Sequence, residues 1–246
     1  MGKNRSASRK ILHLLYQPYK FLVYVPLFLL NYFFFAGLFL VLVLISPRLT
    51  RIVIGFSWSR INSYLTPMCV SVTGRDRIEK GRSYVVVSNH QSHYDIFVLH
   101  GWLLIDIIWV MKQELRKVPL FGMVCAGTEQ IFIDGSNREA ALRSLDNARK
   151  RLTGGTSVIF FAEGTRSTTG KMGEFKKGAF RMAMDLGLPI LPVTITGTEH
   201  ILPAGTFDLF PGRAGLAIHP PIEVTPYGED IDRLMADTRS AIAGDL

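Results

Sequence analysis

Acidic residues are missing from the first 75 positions of this 246-residue chain, where Asp76 is the first to appear. Nine basic residues (Lys3, Arg5, Arg9, Lys10, Lys20, Arg48, Arg51, Arg60, Arg75) occupy that stretch, which leaves 19 of the 28 basic side chains against all 20 acidic ones in the remainder. The formal net charge of +8 therefore belongs to the N-terminal end. A basic balance of this origin gives no support for nucleic-acid binding, which needs cations gathered on one face of a folded domain. Cations beside an apolar segment suit anionic lipid headgroups instead. Cysteine is scarce as well. Cys69 and Cys125 are the two in the chain, both in apolar surroundings, which argues against a disulfide framework and fits reduced core thiols in a cytosol-facing protein. Internal repeats, low-complexity tracts, a Walker-type phosphate loop and a Gly-x-Ser-x-Gly elbow are all absent, so none of those motifs carries the function.

What the chain does have is apolar bulk: 48% of its residues are hydrophobic and the mean hydropathy is +0.23, high for one or two purely soluble domains. Residues 21–46 run without a charge. As one helix they would measure about 39 Å against a hydrocarbon layer of about 30 Å. This is too long for a signal-peptide core, and no small-residue cleavage site follows. Basic residues flank both sides, and the positive-inside rule places both flanks on the cytosolic face. The pattern predicts two helices entering and leaving one leaflet, with a break near Pro26 or Asn31; a single tilted transmembrane helix is the alternative. Residues 52–65 continue as a helix that ends before Pro67. Residues 1–65 thus form a membrane-associated two-helix N-terminal module, and residues 66–246 a second domain.

In that domain, strands at 68–73, 83–88, 107–111, 130–134, 156–161, 190–196 and 216–218 alternate with helical segments, which implies an α/β fold with a mixed sheet flanked by helices. Ser136 and Glu139 form a capping box for a helix reaching Gly154. Helical spacing recurs over 175–186 and again at Ile231, Leu234, Met235 and Ile242.

The strand at 83–88 runs into Asn89-His90-Gln91-Ser92-His93-Tyr94-Asp95. Histidine can accept and release a proton near neutral pH, and a carboxylate on its second nitrogen fixes the tautomer. Five residues apart on one ideal helix, His90 and Asp95 would point about 140° apart. His90 is therefore placed in the strand-to-helix turn and Asp95 in the first helical turn. Two other readings stand beside this one: Asp95, after Ser92, as a helix N-terminal residue with His90 a bonded loop residue, and His90, His93 and Asp95 as metal ligands. A second polar turn, Ala162-Glu163-Gly164-Thr165-Arg166-Ser167, closes the strand at 156–161. Gly164 lets backbone approach a ligand, and Arg166 offers a planar fork suited to phosphate.

Four segments in order, Asn89-His90-x4-Asp95, Ile131-Phe132-Ile133-Asp134, Phe161-Ala162-Glu163-Gly164-Thr165-Arg166-Ser167 and Leu188-Pro189-Ile190-Leu191-Pro192-Val193, resemble the blocks of the glycerolipid acyltransferase family, and are most similar to its 1-acylglycerol-3-phosphate acyltransferases. Lys112, Glu114, Pro119, Gly122 and Phe175-Lys176-Lys177-Gly178-Ala179 fit the pattern between the blocks. The resemblance implies a membrane enzyme, its catalytic domain on the cytosolic face, that moves a fatty acyl group from a thioester of acyl carrier protein or coenzyme A to lysophosphatidate, giving phosphatidate in phospholipid biosynthesis. It implies His90 as base and Asp95 as its partner, with Glu163, Gly164 and Arg166 forming the acceptor-phosphate site and Lys112 a second phosphate contact. It implies neither metal nor cofactor, since the acyl thioester is a co-substrate. In the family an Arg commonly follows the Asp of the second block; here that position is Gly135, with Arg138 nearby in sequence. Acyl transfer to glycerol 3-phosphate or another lysolipid, hydrolysis at a membrane surface, and lipid binding without catalysis are the competing functions.

Overall fold

The computed structural model describes residues 14–134, 151–152, 154–167 and 171–246. Helix α1 (Leu14–Leu42) and helix α2 (Pro47–Leu65) lead into strand β1 (Met68–Thr73). There follow β2 (Val85–Ser88), α3 (Tyr94–Trp102), β3 (Asp106–Lys112), α4 (Phe121–Gly127), β4 (Ile131–Ile133) and β5 (Thr156–Phe161). The chain closes with α5 (Gly178–Leu186), β6 (Ile190–Thr196), α6 (Thr198–Ile201), β7 (Gly212–Ile218) and α7 (Ile231–Ala243).

The seven strands form one sheet in the order β1-β7-β6-β2-β5-β3-β4. Neighbours are parallel except β6 and β7, which makes the sheet mixed as the strand and helix alternation predicts. Val85, Val86 and Val87 of β2 are fully buried, because helices cover the sheet on both sides and a strand in that position must be apolar at every residue. Val86, Ile159, Trp109 and Leu191 face α3 and the N-terminal helices in one core. Val85, Val87, Ile108 and Val158 meet Phe180 of α5 and Leu234 and Ile242 of α7 in the other.

The N-terminal helices do form a hairpin, but its turn is not where the sequence places it. α1 runs without interruption past Pro26 and Asn31, and the reversal falls just before Pro47, where the Ser46 hydroxyl accepts from the Leu49 N–H and caps α2. Pro26 is accommodated because the turn preceding it, Lys20–Tyr24, is π-helical, with the Val25 N–H reaching back to the Lys20 carbonyl. The widened turn relieves the usual clash of the proline ring with the carbonyl four residues back.

The hairpin lies on the sheet instead of standing away from it. Tyr16 is buried in the core beneath α1, Tyr19 donates to the Leu65 carbonyl at 2.8 Å, and the Tyr24 and Tyr94 hydroxyls meet at 3.0 Å. Arg51 of α2 is buried against Asp106 of β3, with Nε to Oδ1 at 2.7 Å and Nη2 to Oδ2 at 2.8 Å, while Nη1 donates to the Thr128 carbonyl. Removing one member of such a pair strands a buried charge at a cost of about 3–5 kcal/mol, so α2 is bound firmly to the sheet. The outward face of the hairpin remains apolar and exposed through Phe21, Leu22, Leu30, Phe33, Phe34 and Leu44.

Several local expectations change. Cys69 is exposed, not a core thiol, because β1 is an edge strand whose alternate residues point away from the covered face; Cys125 is buried, and both cysteines are free. β7 begins at Gly212, four residues before the predicted strand. The helix expected from the Ser136 capping box lies outside the described residues, as do Gly135 and Arg138.

Candidate active site

Strands β6, β2 and β5 are adjacent and parallel, so the turns after them open on one edge of the sheet, where α/β folds gather ligand contacts. The turn after β2 carries His90, and Asp95 sits in the first turn of α3 as the spacing requires. His90 Nδ1 lies 2.8 Å from Asp95 Oδ2. A carboxylate can only accept, so Nδ1 carries the proton and Nε2 is left with its lone pair. Asp95 is fully buried, and the same Oδ2 accepts from the Gln91 and Ser92 backbone N–H groups at 2.7 and 2.9 Å. Asp95 thus both orders the helix start and holds the imidazole, so its helix-terminal place and its pairing with His90 coexist.

The His90 ring stacks on Phe161, with centroids 3.6 Å apart and planes 7° apart. Phe161 ends β5 directly opposite Ser88 in the ladder, which sets the ring floor one residue before the turn that bears His90. The side chain of His90 keeps 14% of its surface exposed, while its Asp partner keeps none. An imidazole pinned by a carboxylate on one side and a phenyl floor beneath can present Nε2 in only a narrow range of directions.

The turn after β5 is laced to the same histidine. Glu163 Oε1 accepts from the His90 backbone N–H at 2.8 Å, and Oε2 accepts from Gly173 N–H at 2.6 Å. Ser167 N–H donates to the His90 carbonyl at 2.8 Å. Glu163 is only 7% exposed, so both its oxygens are committed to holding the turn, and a buried carboxylate would in any case repel a phosphate. Gly164 has φ +71°, a left-handed backbone that glycine adopts without strain, and Lys176 Nζ lies 2.8 Å from where a Cβ would stand.

Arg166 is half-buried one residue before the Ser167 contact, and its guanidinium acts on His93. Burial first, and then the positive charge of Arg166, push the His93 imidazole below its usual range. Lys112 is exposed at the end of β3, two strands from β2, and among the described residues no hydrogen bond or ion pair joins it to His90, Asp95 or Arg166. The structure thus brings His90, Asp95, Glu163, Gly164 and Arg166 together and leaves Lys112 at the outer margin of the same edge. The floor residue Phe161, the cation Lys176 over Gly164, and Thr198, whose hydroxyl donates to Asp95 Oδ1, complete the arrangement. No spacing in the sequence pairs Thr198 with a residue 103 positions earlier. An open groove of about 370 Å³ lined by Tyr64, Met68, Cys69 and Trp102 lies along β1, at the far edge of the sheet.

Fold and site together define an α/β protein with a buried His–Asp pair at the carboxyl edge of its sheet and cations beside it. Residues 69–196 match the model of the Acyltransferase family, and the chain belongs to that family. A 1-acyl-sn-glycerol-3-phosphate acyltransferase of Chlamydomonas reinhardtii is 33% identical over 179 residues, 72% of this chain and 53% of that protein. One from Pseudomonas aeruginosa is 32% identical over 177 residues, 70% of this chain and 68% of that protein. The crystal structure of the 1-acyl-sn-glycerophosphate (LPA) acyltransferase PlsC from Thermotoga maritima has the same fold, with a TM-score of 0.78 at 29% identity over 95% of this chain and 94% of the other. The chain spans about half the length of the algal and chloroplast relatives it matches, 53%, 45% and 44%.

Proposed function

We propose that this chain transfers a fatty acyl group from an acyl thioester to the sn-2 hydroxyl of 1-acylglycerol 3-phosphate, forming phosphatidate and a free thiol at a membrane surface. The carrying observation is the His90 Nδ1 to Asp95 contact at 2.8 Å in a turn shared with the half-buried Arg166. Neutral His90 takes the hydroxyl proton at Nε2 as the oxygen attacks the thioester carbonyl. The tetrahedral intermediate then collapses, the carbon–sulfur bond breaks, and the thiolate recovers the proton from the imidazolium. Positioned general-base catalysis of this kind is typically worth about 10²–10⁴-fold. A thiol leaves readily, so the chemistry requires neither an acyl-enzyme nor a metal.

Arg166 grips the acceptor phosphate, with Lys176 beside Gly164 as a second cation. Holding the phosphate there fixes the hydroxyl at Nε2, and such orientation can remove several kcal/mol from the barrier. Glu163 supports this site through the His90 turn instead of touching the phosphate. The apolar outer face of the α1–α2 hairpin enters one leaflet, with basic residues on the cytosolic headgroups, and delivers the site to lipids that stay in the bilayer. A single crossing would pull α1 off the sheet to which Tyr16, Tyr19 and Tyr24 bind it.

Purified protein in detergent with lysophosphatidate and an acyl thioester, of carrier protein or coenzyme A, tests the proposal. Phosphatidate and thiol should appear in equal amounts, and His90→Ala should stop both while the fold survives. Free fatty acid in place of phosphatidate would mean a hydrolase. Turnover on glycerol 3-phosphate alone would move the acceptor, and no turnover would mean a lipid-binding protein.

A further inference from the structure

The fourth block of the sequence, at the start of β6, carries no chemistry in the scheme above, yet β6 is bound to the His90 turn more tightly than any pattern in the chain implies. The Asn89 side chain bonds both backbone groups of Ile195, Nδ2 to the carbonyl and Oδ1 from the N–H, each at 2.8 Å. Two residues further along, Gly197 turns the backbone at φ +82°, and Thr198, fully buried, points its hydroxyl at Asp95. Thr198 Oγ1 donates to Asp95 Oδ1 at 2.5 Å. Among the described residues, Oδ2 takes the imidazole and two backbone donors, whereas Oδ1 takes Thr198 alone.

We propose that Thr198 is a positioning residue for the His90–Asp95 pair: it fixes the rotation of the carboxylate and disperses its charge, and so sets both the aim and the basicity of the imidazole. Two consequences follow from elementary electrostatics. A carboxylate that loses a donor concentrates its charge on the remaining contacts, and the imidazolium beside it is stabilised. The neutral, proton-accepting form of His90 is then populated only at higher pH. The carboxylate also gains freedom to rotate about its own bond, and Nε2 loses its fixed direction. Thr198 is fully buried and reaches no substrate, so neither consequence involves binding.

The inference rests on His90 acting as the base, and the two stand or fall on different measurements. Thr198→Val keeps the shape and removes the donor; Thr198→Ala removes the donor without asking a methyl group to pack; Thr198→Ser restores the hydroxyl. For Val and Ala we expect kcat to fall about ten- to hundred-fold, as for the loss of one hydrogen bond to a buried charge. KM for both substrates should hold within about two-fold, and the acidic limb of the kcat/KM profile should move to higher pH by about half a unit or more. Ser should return both to the parent values. A wild-type limb and kcat in folded Thr198→Val or Thr198→Ala would overturn the proposal. So would equal loss in all three variants accompanied by a lowered melting temperature, which would make the role structural. Retained turnover in His90→Ala would reject the base itself, a result that no Thr198 variant can imitate.

Discussion

Glu163→Gln separates two roles that the sequence alone cannot tell apart. If the carboxylate contacted the acceptor, its loss would weaken lysophosphatidate binding; if it holds the His90 turn, binding survives and chemistry fails. The parent Glu163 accepts from His90 N–H at 2.8 Å through one oxygen and from Gly173 N–H at 2.6 Å through the other. Glutamine keeps the volume and one acceptor, but its amide NH₂ must face the other of two backbone donors. One charge-assisted bond, worth about 1.5–3 kcal/mol, is lost, and a buried N–H is left unpaired. The cheapest relief is a shift of the turn away from the amide, which carries His90 with it. Displacement by about 1 Å at a reacting group costs on the order of 10²-fold in rate. We therefore expect kcat to drop about a hundred-fold, KM for lysophosphatidate to stay within about three-fold, and melting to fall by less than about 10 °C. Thiol release at varied acceptor concentration separates the two constants. An unchanged kcat with KM raised ten-fold would refute the reasoning and return Glu163 to the phosphate.

Arg166→Ala should raise KM for lysophosphatidate at least about ten-fold while kcat changes little, and Arg166→Lys should recover only part, since an ammonium lacks the planar fork; an unchanged KM removes Arg166 from the site. Gly55→Ala puts a Cβ 2.7 Å from His100 Nδ1, where α2 crosses α3, and should cost about 1–3 kcal/mol as overpacking, read as a lowered melting temperature. His100 itself is depressed to about 4 by burial, with Arg51 adding to the shift. It is neutral in the fold and protonates near 6.5 when unfolded, so it favours folding above that value, and the stability is lost as pH falls towards 4. Between pH 7 and pH 5 this amounts to on the order of 2 kcal/mol, and in denaturant titrations His100→Gln should shrink the difference between those two pH values.

How much of this was legible in the chain follows from which interactions are local. The β5 and β6 spans were readable because buried strands in a covered sheet are short apolar runs with sharp polar ends. The His90 and Asp95 geometry was readable because five residues force a turn followed by a helix. The break of the hairpin was misplaced because Pro26 carries a breaking signal that the π-turn at Lys20–Tyr24 cancels, and that compensation has no signature in composition. The backbone partners of Glu163 were hidden for another reason. A charged residue in a polar turn looks like a ligand contact, whereas the partners that satisfy it here are backbone N–H groups, which every sequence has and none displays. Cys69 looked like core because its neighbours are apolar, and only the edge position of β1 exposes it.

The strand order explains why residues from 90 to 198 meet at all. In sequence, β3 and β4 separate β2 from β5, yet in the sheet β2 lies between β5 and β6, with β3 outside β5. The turns that follow β6, β2 and β5 are therefore immediate neighbours, and they carry Thr198, His90 and Glu163 respectively. Each flanking turn holds a different part of the central one: Thr198 takes the carboxylate that orients the ring, Glu163 takes the backbone that carries it, and Phe161 supports its face. Three independent restraints on one imidazole leave its Nε2 as the free nitrogen of the group, and under the proposed function binding of the acceptor's phosphate would then serve to orient the hydroxyl instead of ordering the base. Lys112 belongs to β3, one strand further out than the turn after β5.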